Sequence, residues 1–251
     1  MTNSHTITIL IGIDDTDNLE SRGTGYHARS LGSAVAENGW GICNVITRHQ
    51  LLLSPLVPYT SHNSAACVRV STQPEQIDEI EAFCIDYLLT ESAEGSDVGL
   101  CIAQEDKIPA SVHQFGFVCK RRLVTQHNAR ELASNSNIKL HGLTGNHDGI
   151  IGALAATGLS ASGCDGRMLW LKGMRERADQ TVRLSDLLSQ TGIDVVQNIE
   201  GKVLEQSDSL IEMGAWPRAI WLGGQATLIV EPHPENNHVW QVAAKDYLRQ
   251  F

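Results

Sequence analysis

The sequence predicts an α/β and α+β protein of two fused parts with a small β-rich C-terminal tail, on three observations. An apolar, β-branched run, Ile7 to Ile13, ends in Asp14, Asp15 and Asp17 and leads through Gly23-Thr24-Gly25 into a helical pattern. A second glycine-rich stretch, Gly142 to Gly149, enters a helix of small residues, Ile150 to Thr157. Beyond residue 172 the pattern turns to short strands and turns.

The first stretch carries the chemistry. Ile7 to Ile13 has the length and composition of a buried strand. In open α/β sheets ligands bind beyond the carboxyl ends of strands, which is where the acids fall. Asp14, Asp15 and Asp17 repel one another unless a cation sits between them. Mg2+ takes oxygen ligands, often one or two carboxylates plus substrate phosphates. Gly23 and Gly25 let backbone N–H groups approach phosphate oxygens, and the helix that follows favours an anion at its N-terminus. The same residues also read as an Asp-rich turn in which Asp17 or Asn18 caps the helix.

The remaining elements follow in order. Tyr26, Leu31, Ala34 and Val35 share a helix face, and Gly39 stands at the C′ position. Ile42–Ile46 and Ala65–Val70 read as strands. Between them, Pro55 and Pro58 open a loop whose tip, Pro58 to Ser64, is either a ligand loop or an ordinary polar turn. Pro74 opens a helix carrying Ile77, Ile80, Cys84, Tyr87 and Leu88. Glu91 to Asp97 reads as a loop, Val98–Ala103 as a strand, and Ser111–Arg122 as an amphipathic helix. Thr125 is placed to cap a helix through Ala133, and Ile138–His141 is a short strand. The helix from Ile150 is expected to end at Gly158. In the loop before it, His147 and Asp148 read either as a satisfied pair or as reactive groups. Asp165, within Gly163-Cys164-Asp165-Gly166, belongs to a tight hairpin turn or supplies a carboxylate to a cationic substrate group. Met168–Leu171 reads as a strand, and Ser185-Asp186 as the cap of a short helix ending near Gly192. Ile220–Val230 is a hairpin turning on Gly223-Gly224, with Trp240–Val242 as a third strand. Trp216, Trp221 and Trp240, if exposed, point to an interface between copies.

Composition narrows the class. With 251 residues and 42% hydrophobic content, the chain can bury a sizeable core. No apolar run approaches bilayer length, and no signal peptide is evident, so a cytoplasmic location is expected. Six cysteines without a C-x-x-C pair read as reduced core residues rather than a zinc ribbon. A net charge of −10 argues against a chain that grips nucleic acid unaided, since that affinity rests on Lys and Arg. Lys120-Arg121-Arg122, with Arg175 and Arg177, is the best candidate basic patch, and it also reads as a solvated face.

Gly12-Ile13-Asp14-Asp15-Thr16-Asp17 with Gly23-Thr24-Gly25-Tyr26 resembles the N-terminal kinase-like domain of the TiaS family, archaeal enzymes that use ATP to join agmatine to the wobble cytidine of an isoleucine tRNA. His141-Gly142-Leu143 and Asp148 to Gly158 resemble the glycine-rich segment of that family's ferredoxin-like domain. The two motifs come in family order and the resemblance covers roughly residues 6–172. It implies an ATP-binding kinase-like domain over 1–96, a ferredoxin-like domain over 97–172, and an appendage over 173–251 that matches neither the family's OB-fold nor its zinc ribbon. It implies an Mg2+-ATP-dependent ligase or kinase acting with a small amine or nucleotide substrate. Asp14, Asp15 and Asp17 would hold Mg2+; Asp14, Asp15 and Thr24 would be catalytic, Thr24 as nucleophile or phosphate ligand. Thr16, Gly23, Gly25, Asn63 and Ser64 would bind ATP, and Gly145, His147, Asp148 and Asp165 the substrate. The basic residues of the family's loop are not reproduced, since Thr60, Ser61 and His62 stand there. A non-catalytic nucleotide- or amine-binding module, or a tRNA-modifying enzyme that needs an RNA-binding partner, are the alternatives.

Overall fold

The computed structural model describes residues 6–57 and 63–251; the loop tip expected at 58–62 lies outside them. The chain divides into two compact units, Met1–Ser162 and Gly163–Phe251.

The first unit runs β1 (Ile7–Asp14), α1 (Thr24–Glu37), β2 (Gly41–Gln50), β3 (Ser64–Thr72), α2 (Ile77–Glu91) and β4 (Gly99–Gln104). It continues with α3 (Ala110–Cys119), α4 (Gln126–Asn135), β5 (Lys139–Gly142) and α5 (Gly149–Ser162). Its strands lie in the order β5-β4-β1-β3-β2, and each neighbouring pair is antiparallel. The rule about carboxyl ends of parallel strands therefore does not apply here. The β-α-β-β-α-β order associated with ferredoxin-like folds runs from β1 to β4, within 7–104, and not over 97–172 as expected. The expected boundary at 96/97 falls just before β4, which pairs with β1 along Ile9–Asp14.

Alternation along β1 sets both faces of the sheet. Ile9, Ile11 and Ile13 point one way, in register with Val70, Val68 and Ala66. Helix α1 lies on that face, with Gly32 against Cys43 and Ile46. Helix α2 sits beside it through the ring pairs His27–Tyr87 and Trp40–Phe83. Leu10, Gly12 and Asp14 point the other way. There Leu10, Cys67, Cys101 and Ala103 pack with Val112 and Phe115 of α3 and Ile150, Ala153 and Leu154 of α5. Each such Leu or Ile contributes about 1.5–3 kcal/mol by leaving water.

Helix α5 rests on the strands almost backbone to backbone. A Cβ at Gly12 would stand 2.2 Å from the Ala153 carbonyl oxygen, and one at Gly99 would stand 2.1 Å from the Gly149 carbonyl carbon. Gly158 does not end the helix as expected. A Cβ there would meet the Val112 carbonyl oxygen at 2.1 Å, so this glycine admits α3, and the helix runs on to Ser162 before Gly163 turns at φ +73.

The second unit comprises β6 (Arg167–Leu171), β7 (Thr181–Arg183), α6 (Leu184–Gln190), β8 (Val195–Asn198) and β9 (Leu210–Glu212). It closes with β10 (Ile220–Leu222), β11 (Gln225–His233), β12 (Asn236–Val242) and α7 (Lys245–Leu248). Its strand order is β6-β10-β11-β12-β9-β7, with β8 parallel to β11. The Gly223-Gly224 hairpin forms as expected, both residues at positive φ as a mirror-image turn demands. Strand β6 pairs with β10 through Arg167 and Ile220, so residues 163–172 belong with the tail. Helix α6 starts one residue before Ser185, with Arg183 at the cap and no side-chain cap bond, so Ser185-Asp186 lies inside its first turn. Trp221 is buried and Trp240 half-buried, leaving Trp216 as the widely exposed indole of the three. Among the described residues no helix is long and apolar enough to cross a membrane.

Candidate functional site

Antiparallel pairing gathers acids that lie far apart in the chain. The end of β1 faces the start of β4, Asp14 opposite Gly99, which brings Asp97 to the same rim. The start of β4 faces the end of β5, Gly99 opposite Gly142, so the glycine-rich loop 143–148 runs alongside. That loop is pinned to residues 96–98. Leu143 N donates to Val98 O (2.8 Å), Val98 N to Thr144 Oγ1 (3.0 Å), and Thr144 Oγ1 to Ser96 O (2.6 Å). Asn146 N donates to Asp97 Oδ1 (2.7 Å). Gly145, at φ +57, makes room for Asp97: a Cβ there would sit 1.8 Å from Asp97 Oδ1.

A cavity of about 200 Å3 opens at this rim. Asp14, Asp15, Asp97 and Asp148 supply its carboxylates. Leu51, Leu52, Leu56 and Val57, in the segment after β2, give it an apolar wall, and Asn63 joins that wall while its Nδ2 donates to Leu52 O (2.7 Å). Arg122, from the turn after α3, adds a cation, and Gly149, Ile151 and Gly152 of α5 close one side. Gly152 is needed there, because a Cβ would lie 1.7 Å from Asp14 Oδ2.

The electrostatics follow from crowding. Burial, and then the charge of Asp15, push Asp14 up to about 7. Burial, and then Asp97 and Asp17, push Asp15 up to about 6. Asp15 holds a positive φ of 54, a conformation in which Asp is tolerated but costs energy. Burial first, and Asp14 second, push the Cys119 thiol to about 12, so it lines the cavity as a neutral group. Burial is the larger cause for both carboxyls, and a cation bound against them would favour their charged forms.

The residues expected in the acidic turn separate into two groups. Asp14 and Asp15 line the cavity, whereas Thr16, Asp17, Gly23, Thr24 and Gly25 do not. Asp17 Oδ1 accepts from Thr24 Oγ1 (2.9 Å) and from Thr24 N (3.3 Å), and Thr16 Oγ1 donates to Thr24 Oγ1 (3.1 Å). Asp17 thus acts as the cap for α1, whose own N-cap, Gly23, has no side chain to offer. The expected metal set Asp14, Asp15 and Asp17 is not assembled: among the described residues no group of three or more His, Cys, Asp or Glu is placed to hold a metal ion. The reason is that Asp14 turns toward α5 while Asp17 is drawn to α1 on the opposite face. Two carboxylates with all-oxygen chemistry, Asp14 and Asp15, still suit Mg2+ in the mode where phosphate oxygens and water complete the shell.

Ser64 lies outside the cavity lining and its Oγ accepts from Arg48 Nε (2.8 Å). His147 and Asp148 do not pair with each other. His147 Nδ1 meets Arg130 Nη2 at 3.4 Å, and Asp148 Oδ1 accepts from Gln126 Nε2 (2.6 Å). Asp165 is buried in the second unit, between Gly163 and Gly166. Sequence reasoning missed Asp97, which it read as the end of a loop. The signal was the Ser-Asp pair at a strand entrance, legible only once β4 is known to run against β1.

Fold and site together define a class: an α+β protein with an acidic cavity at one rim of an antiparallel sheet. No family model matches the chain. An uncharacterized protein of Methanocaldococcus jannaschii is 29% identical over 156 residues, which are 61% of this chain and 50% of that protein. Among solved structures, a complex of TiaS with an isoleucine tRNA and ATP is similar with a TM-score of 0.54 and 23% identity, over 61% of this chain and 36% of that one. A tRNA fluorescent labeling enzyme is similar to the same degree over the same shares. Apo TiaS, an agmatidine synthetase for an isoleucine tRNA, follows with a TM-score of 0.50 and 22% identity, over 61% of this chain and 35% of that one. The likeness is one of fold, and the chain spans half of the curated relative (50%) and about a third (36%) of the solved structures it matches.

Proposed function

We propose that the chain is an ATP-dependent ligase or phosphotransferase that activates a substrate with Mg2+-ATP and joins it to an agmatine-like amine in the acidic cavity. The observation that carries this reading is the crowding of Asp14, Asp15, Asp97 and Asp148 into one cavity on a TiaS-like fold. Asp14 and Asp15 would hold Mg2+, which when bound neutralises phosphate charge. Arg122 meets a phosphate oxygen from the wall of the same cavity. Asp97 and Asp148 face a cationic amine, and the leucine wall holds an alkyl or planar body between the charged ends. A net charge of −10 supports a small molecule as the substrate of the acidic cavity, where RNA would call for basic residues from elsewhere to hold it.

A second reading, a nucleotide- or amine-binding module without turnover, is favoured by the placement of Thr24 outside the cavity lining. ATP hydrolysis with Mg2+, measured with and without agmatine and bulk tRNA in wild type and Asp15→Asn, separates the two. Turnover that depends on Asp15 supports the enzyme. ATP binding with no turnover under any of these conditions leaves the binding module.

A further inference from the structure

The second unit carries a cluster of like charges that its own fold only partly neutralises. Arg167 on β6 stands opposite Ile220 on β10, so the two side chains share a face of the sheet. The pairing reaches Ala219, whose carbonyl oxygen accepts from Met168 N (2.9 Å), and Arg218 is the residue immediately before it in the chain. Leu248 of α7 packs against Ile220 and Ile229, and this docking brings Arg249, the next residue, to the same place. Burial, and then the charges of Arg218 and Arg249, hold the Arg167 guanidinium below its ordinary value, with Asp165 acting the other way. Arg249 Nη1 reaches Asp246 Oδ1 at 2.7 Å, across an exposed pair. Like charges held close together repel, and the repulsion is relieved when an anion enters among them.

Guanidinium forks match the oxygens of phosphate in shape as well as charge. Trp216 stands two residues before Arg218 and is 81% exposed, although an indole of that size rarely gains anything from water. An exposed indole two residues along the chain from one of these arginines offers a face on which a base stacks while its phosphate is held.

We infer that Arg167, Arg218 and Arg249, with Trp216, form a phosphate-ester site in residues 163–251, built from none of the residues that line the acidic cavity. The phosphate ester comes either from a mononucleotide or from the backbone of single-stranded RNA, and the two sources share this chemistry. The site does not depend on the function proposed for the cavity.

The test uses the full chain as wild type, Arg218→Gln/Arg249→Gln and Trp216→Ala, all at exposed or half-buried positions, with Arg183→Gln, an exposed charge on the edge strand β7 of the same unit, as the control. Fluorescence anisotropy of a short fluorescein-labelled single-stranded RNA is read at several salt concentrations, and AMP is titrated separately against the intrinsic tryptophan signal. The expected result is binding that weakens about tenfold or more in the double arginine variant, with a salt slope reduced by about two for RNA. Trp216→Ala weakens binding without changing the salt slope, and Arg183→Gln binds as wild type does. Binding of RNA with this pattern names RNA as the source; binding of AMP alone, lost in the arginine variant, names the mononucleotide. Absence of binding by both probes overturns the inference, as does equal binding in wild type and the arginine variant.

Discussion

Replacing Asp14 by Asn should make the protein more stable in alkaline solution. The carboxyl has an ordinary value of 3.8 and stands at about 7 in the folded chain, chiefly through burial. A folded-state value above the unfolded one means that the stabilising proton is fully in place below pH 3.8, and its contribution is lost as pH rises through about 7. The difference of about three units corresponds to about 4 kcal/mol at ~1.36 kcal/mol each, and contact with solvent at the cavity mouth brings the expected effect to about 2–4 kcal/mol. Asn keeps the shape and cannot ionise, so Asp14→Asn should gain that amount at pH 8.5 and almost nothing at pH 4. Urea unfolding of wild type and variant across this range measures it, followed by hydrogen exchange in peptides from 7–14 and 149–162 so that the first unit alone is read. A stability difference that stays flat with pH would refute the argument that a buried, crowded carboxylate strains this rim.

The same titration predicts ligand behaviour. Mg2+ or agmatine needs the charged carboxylates, so affinity should rise as pH passes through 6–7 and binding should release protons, seen as a buffer-dependent enthalpy in calorimetry. Gly152→Ala places a Cβ 1.7 Å from Asp14 Oδ2 and should weaken ATP binding, with a stability cost of about 1–3 kcal/mol in a urea melt. Gly158→Ala meets the Val112 carbonyl instead and should lower stability by a similar ~1–3 kcal/mol while the remaining folded protein binds ATP as wild type does. Asp97→Ala takes away the acceptor of Asn146 N, so loop 143–148 should exchange its amides faster, by the equivalent of about 1–2 kcal/mol.

Local chemistry was legible in the sequence and long-range geometry was not. The strand at Ile7, the helix end at Gly39, the Thr125 cap and the Gly223-Gly224 hairpin all stand where turn and capping preferences put them, because each is decided by its near neighbours. Gly158 reads as a helix stop in the sequence because a glycine that ends a helix and one that admits a neighbouring helix look alike until the neighbour is known. The acidic turn was read as one cluster, yet strand alternation sends Asp14 to α5 and leaves Asp17 to cap α1. Asp97 was missed for the converse reason: its partners, Asn146 and the Asp14–Asp15 pair, are remote in the chain and meet it only through the register of β1 with β4 and of β4 with β5.

That register also sets when the site comes into being. The cavity needs the end of β1, the entrance of β4 and the loop before α5 together, segments separated by most of the first unit. Contacts of such wide sequence separation form late in folding, after the loop-closure entropy has been met. A nascent chain therefore has no ligand site until α5 has settled on the strands through its glycines. A ligand that bridges the opposing carboxylates then binds the native state alone, and holds the whole unit folded by mass action.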